Sequence, residues 1–123
     1  MNGVASVLRQ WGWVFLARWT ARALGLLLLL GWGSFAFYHF FEWFTDPRGW
    51  PPAWVCGVFG LHLLMLAGFL TAFRWERSGA VLTLIASAAF FYFAAGPNFP
   101  LFTAVNAIPC LLWLLVSSAT PRS

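Results

Sequence analysis

The sequence has 123 residues, room for one domain, of which 62% are hydrophobic and 8% charged, and its mean hydropathy is +0.80. A water-soluble domain of this size carries about a quarter charged residues and roughly half apolar ones, so this chain lacks the polar groups to cover a surface facing water. The net charge of +4 comes from seven arginines, no lysine and three acids (Glu42, Asp46, Glu76); the arginines flank apolar runs and form no patch on a wet face, which argues against nucleic acid as a partner.

Residues 6–22 mix Trp and Arg. As an interfacial amphipathic helix the stretch is poorly sorted, with Arg18 on the same face as Trp11. A continuation of the first span, with Arg18 and Arg22 reaching to the headgroups, fits at least as well. The apolar run 23–41 exceeds the roughly 7–15 residues of a signal-peptide core, and no small-x-small cleavage site with a polar sequel follows it. It is expected to remain as a membrane span. Crossing a hydrocarbon core of ~30 Å takes about 20 residues of helix, and further runs at 53–73, 79–95 and 101–119 qualify. None of the four contains Arg, Asp or Glu. The runs are long, rich in Leu and Ala and without alternation, which favours helices over strands. The expected fold is all-α: a polytopic membrane protein forming a four-transmembrane-helix bundle over residues 1–123.

Two proline-rich loops, Asp46-Pro47-Arg48-Gly49-Trp50-Pro51-Pro52 and Gly96-Pro97-Asn98-Phe99-Pro100, break the helices and are short enough to make neighbouring spans antiparallel. Arg9, Arg18, Arg22, Arg74, Arg77 and Arg122 all fall on one side of such a topology and Arg48 on the other. The positive-inside rule then places both termini in the cytoplasm, in a multi-pass protein of the cytoplasmic (inner) membrane. Tryptophans agree: Trp11, Trp13, Trp19 and Trp75 mark the inner boundary, Trp43, Trp50 and Trp54 the outer one. Aromatic residues crowd the outer ends of spans one (Phe35, Phe37, Tyr38, Phe40, Phe41) and three (Phe90, Phe91, Tyr92, Phe93), which suits lipid contact and packing, or a slot for a hydrophobic ligand or pigment.

Lipid supplies no hydrophobic drive between helices, so small residues and interhelical hydrogen bonds hold bundles together. Gly79, Thr83 and Ser87 form a small-residue stripe on span three; Gly57, Gly60, Ala67 and Gly68 on span two and Gly25, Gly31 and Gly33 on span one add others. Packing within the chain or onto a partner both account for them. Cys56 and Cys110 lie in apolar runs without CxxC spacing and read as packed thiols. His62 lies nine positions into span two, ~13–14 Å deep, where an ionisable residue marks a functional candidate or a neutral imidazole bonded across the bundle to Asn106 or Ser87. His39 and Glu42, at i and i+3, form either a proton or cation site near the outer surface or a simple interfacial pair. Two histidines on adjacent helices raise a haem with two axial imidazoles, although His39 sits ~7–8 Å from its helix end and so about a turn away in depth. Pro109, with Asn106, is expected to kink span four.

The turn Phe73-Arg74-Trp75-Glu76-Arg77-Ser78-Gly79-Ala80, after a span carrying Leu61-His62-Leu63-Leu64, resembles a family of small uncharacterised prokaryotic four-helix membrane proteins with a Trp-Glu-x-x-Gly cytoplasmic turn. The likeness runs from about span one to span four and departs at Ala80, where a second glycine would stand. It implies the fold and no mechanism. In that turn Glu76 sits between Arg74 and Arg77, which can neutralise it. The sequence carries no paired intramembrane carboxylates, metal-ligand cluster, nucleophile beside a base or Gly-rich phosphate loop. The leading expectation is a non-enzymatic accessory subunit of a membrane complex, with the bilayer and a protein partner or a second copy as its company. A homo-oligomeric transporter or channel around His62, Asn106 and Pro109, and a haem- or pigment-binding redox or light-harvesting-type subunit using His62 and His39, are the alternatives.

Overall fold

In the computed structural model, which describes residues 2–119, Asn2–Phe44 forms one continuous helix (α1). After it come α2 (Ala53–Ala72), α3 (Glu76–Ala94), a 3-10 turn (Gly96–Asn98) and α4 (Phe99–Ala119). All four α-helices are long and apolar enough to cross a membrane. They follow each other antiparallel around a ring, α2 packing most extensively on α3, while α1 closes the ring against α4 and packs less on its other ring neighbour, α2.

The loop chemistry explains the helix ends. Asp46 accepts the Gly49 N–H at its carbonyl (3.1 Å) and the Arg48 N–H at its carboxylate (2.9 Å), with Pro47 between them, the residue pattern of a type I turn. Gly49 has φ +120°, a conformation open to glycine. The Arg48 guanidinium and, next, its backbone N–H hold the Asp46 carboxyl below its ordinary value of 3.8. At the far end of α3, Gly96 adopts φ +58° just beyond Ala95, the left-handed residue that stops a helix.

Several boundaries move from those expected. The 6–22 stretch continues α1, as one of its two readings had it, and α1 extends to Phe44. Span three starts at Glu76 instead of 79, because a carboxylate is favoured in the first turn of a helix. Span four starts at Phe99 instead of 101, since Pro100 fits a first turn whose N–H groups need no partner. α4 continues through Pro109 as one helix. Arg122 lies outside the described residues.

Glu76 is paired differently as well. It accepts two hydrogen bonds from Arg18 of α1, Nε to Oε2 at 2.9 Å and Nη2 to Oε1 at 3.0 Å, with the side chains 28% and 15% exposed. The flanking Arg74 and Arg77 make no ion pair with it among the described residues; Arg74 lies over the Trp75 ring. A planar guanidinium matches a carboxylate fork, which the chain neighbours cannot offer from the same helix start. Arg18→Ala is therefore expected to destabilise the fold by about 1–2 kcal/mol, between an exposed pair and a charge-assisted bidentate one. The charge-swapped pair R18E/E76R should recover part of that loss in thermal unfolding; no recovery would mean the two side chains are not coupled.

The core runs along the bundle axis. Met65, Phe69, Phe91, Cys110, Trp113 and Val116 are fully buried. Phe91, Phe102 and Trp32 form an aromatic triangle with ring centroids 5.0–5.6 Å apart. The aromatic crowd thus divides: Phe90 and Phe91 turn inward, whereas Phe37, Tyr38, Phe41, Tyr92 and Phe93 stay exposed.

The expected glycine contacts divide too. Gly79 lies against the backbone of Ala72, Gly68 against Thr83, and Gly25 beneath the Trp113 ring. Gly57 and Gly60 are not contact points within the chain: both are exposed, and a methyl group on either meets nothing within 4 Å. Their spacing resembles a packing stripe, but α2 is rotated so that Phe59, His62, Met65 and Phe69 face the core.

Candidate functional site

Halfway along the bundle every helix contributes to one hydrogen-bonded polar layer. Trp32 of α1 donates its indole N–H to Asn106 Oδ1 of α4 at 2.9 Å. Asn106 Nδ2 donates to Ser87 Oγ of α3 at 3.0 Å and to Met65 Sδ of α2 at 3.2 Å. Both amide hydrogens and the amide oxygen of Asn106 are thereby used, at a residue with no exposure. Thr83, one turn before Ser87, donates to the Gly79 carbonyl at 2.7 Å.

His62 joins this layer through the backbone. Its Nε2 lies 2.8 Å from the Trp32 carbonyl oxygen. A carbonyl only accepts, so Nε2 carries the proton and, in the neutral ring, Nδ1 remains an acceptor. The expected partners, Asn106 and Ser87, bond to each other and Asn106 to Trp32, while the imidazole turns to α1 instead. Ala36, buried one turn beyond Trp32, leaves room for that approach.

Toward the proline-loop end, α1, α2 and α3 enclose an apolar cavity of about 300 Å³. His39 and Trp43 come from α1, Trp54, Val55, Val58, Phe59 and His62 from α2, and Phe90, Phe93 and Ala94 from α3. A smaller one of about 130 Å³ adjoins it, sharing His39, His62, Phe90 and Ala94 and adding Trp32, Phe35 and Phe102. The structure therefore brings His39 and His62 to one site while Asn106 stays in the core beneath. The His39 ring stacks on Trp43 (4.3 Å, 12°), and His62 lies against Phe90 (4.5 Å). Glu42 Oε2 is 3.6 Å from His39 Nδ1, too far for a hydrogen bond, and that nitrogen is buried without a partner. A haem bridged by both histidines fits poorly here: His62 Nε2 is taken by α1, His39 lies flat on an indole, and the cavity is small for a tetrapyrrole. Among the described residues no group of three or more His, Cys, Asp or Glu could hold a metal ion.

A family model described as "Domain of unknown function (DUF7670)" matches residues 9–119. The chain belongs to DUF7670. No curated protein and no solved structure matches it.

The site of this DUF7670 chain includes residues that sequence reasoning passed over: Trp32, Met65, Phe90 as a ring against His62, and Ala36. One signal was present. Seven of the nine tryptophans lie where interfacial belts are expected, and only Trp32 and Trp113 fall in mid-span. A mid-span indole brings an N–H that lipid cannot satisfy, so it points to an acceptor on another helix. For Trp32 that acceptor is Asn106, whereas the Trp113 Nε1 is buried without a hydrogen-bond partner.

Proposed function

We propose that this DUF7670 chain is a small non-enzymatic integral membrane protein, an accessory subunit that docks within a larger assembly of a prokaryotic cytoplasmic membrane. Both termini face the cytoplasm, because Arg9, Arg18, Arg22, Arg74 and Arg77 gather at one end of the bundle and Arg48 stands at the other. The Trp75-Glu76 turn lies at that cytoplasmic surface.

One observation carries the reading, the length of α1. Its 43 residues extend ~64 Å, about twice a hydrocarbon core. Arg18 meets Glu76 at the start of α3, and Gly25 lies level with Trp113, close to the last described turn of α4. Residues 2–17 stand largely clear of the other three helices: Val14 is still covered, and from residue 13 back α1 runs on past them by ~18 Å. The 2–17 stretch carries Trp11, Trp13, Phe15 and Leu16 exposed, with Val14 the one buried side chain described there. Apolar rings beyond the hydrocarbon need the headgroup region or another protein, and a rigid helix leading out of a bundle suits a partner. Polar side chains in mid-bundle are engaged in joining helices, which supports a structural part over a catalytic one.

Purification from the native membrane in a mild detergent tests this. A stoichiometric companion protein or a defined oligomer is expected by native mass spectrometry, and deleting residues 2–15 should release it while leaving helical content in place. A monomer with nothing copurifying would sink the proposal.

A further inference from the structure

We infer that the cavity between α1, α2 and α3 at the proline-loop end binds the ring of a neutral, membrane-soluble aromatic alcohol, the head of a quinol. The inference rests on the reading that these helices lie in lipid, and goes beyond it by naming a ligand.

The walls set the shape. Trp43, Trp54, Phe59, Phe90 and Phe93 supply aromatic surface from three helices, and about 300 Å³ is at the small end of ligand pockets, room for a single substituted ring. The cavity exists because α1 leans on α4 and makes its weakest neighbour contact with α2. A ligand tail leaving between those two helices would enter lipid.

Its polar groups set the chemistry. His62 is 2% exposed and spends its one donor on the Trp32 carbonyl, so the neutral ring can only accept at Nδ1. His39 makes no hydrogen bond among the described residues. His62 therefore needs a hydroxyl donor, which a quinol has and a quinone lacks, whereas the neutral His39 ring, with one N–H and one acceptor, can pair with either a hydroxyl or a carbonyl on the far side of the ring. Charge excludes the commonest competitors. Glu42 beside His39 repels a fatty-acid carboxylate or a lipid phosphate, and Arg48, the nearest cation in sequence, is 90% exposed and held by Asp46. A neutral donor remains.

The test uses purified full-length chain and a decyl-substituted benzoquinone, which quenches tryptophan, with its quinol (kept reduced) as competitor. Saturable quenching is expected, reversed by quinol at about tenfold lower concentration than the quinone needs, one hydrogen bond's worth of preference. Val58→Trp, which fills the cavity, should weaken binding at least tenfold. His39→Leu should weaken quinol and quinone alike, leaving the preference that His62 sets, and circular dichroism would check that both variants fold. Quenching linear in quinone, variants indistinguishable from wild type, or displacement by palmitate in place of quinol would each overturn the assignment. The membrane reading fails separately, as a chain that does not float with phospholipid vesicles.

Discussion

Gly79→Ala is expected to destabilise the bundle by about 3 kcal/mol, the upper range for overpacking a tight interior. A methyl group there falls 2.6 Å from Ala72 Cβ and closer still to the backbone N and Cα of Ala72. Backbone atoms cannot rotate away as a side chain can, so α2 and α3 must part along their most extensive contact. Gly68→Ala should behave alike, with Thr83 N at 2.8 Å and Thr83 Cα at 2.9 Å from the added carbon. Gly57→Ala and Gly60→Ala project into open space and should be neutral or stabilise by about 0.5–1 kcal/mol, the backbone entropy that alanine removes from a helical glycine. Reversible unfolding in mixed detergent measures all four. Similar losses at all four positions would contradict the rotation of α2 described above.

The second large effect is expected at Asn106. Replacing it with leucine, close in volume, removes an acceptor and both amide donors from a fully buried site. Interhelical hydrogen bonds in membranes average ~0.6 kcal/mol and reach ~1.7, while a buried group left without a partner costs ~1–3 kcal/mol. Because the Trp32 N–H loses its acceptor and Ser87 its donor, Asn106→Leu should cost about 2–3 kcal/mol. The double variant W32F/N106L removes the orphaned indole N–H as well and should be more stable than N106L by itself. An N106L protein that unfolds at the wild-type midpoint would show that the layer joining the four helices contributes little.

Part of the site was legible from composition and position. His62 and Asn106 stood out as polar residues deep in apolar runs, and such groups must be satisfied inside the protein. Their partners were not legible. Asn106 reaches Trp32, seventy-four positions away, and His62 reaches a backbone carbonyl, a group every residue carries and no sequence pattern marks. Glu76 was assigned to its chain neighbours Arg74 and Arg77 because proximity in sequence was the only distance on hand. Arg18, fifty-eight positions away, takes it instead.

The sequence by itself determined that there are four apolar helical runs, where the proline loops part them, and which end collects the arginines. These depend on solvent preference and local backbone chemistry, which act residue by residue. Only the tertiary structure decided which face of each helix turns inward, hence which glycines are contact points and that His39 and His62 share a cavity. The physical reason is that a lipid-exposed face is as apolar as a packed one. Without a polar side to orient it, a helix's rotation is set by the fit of its neighbours, and that fit belongs to all four helices at once.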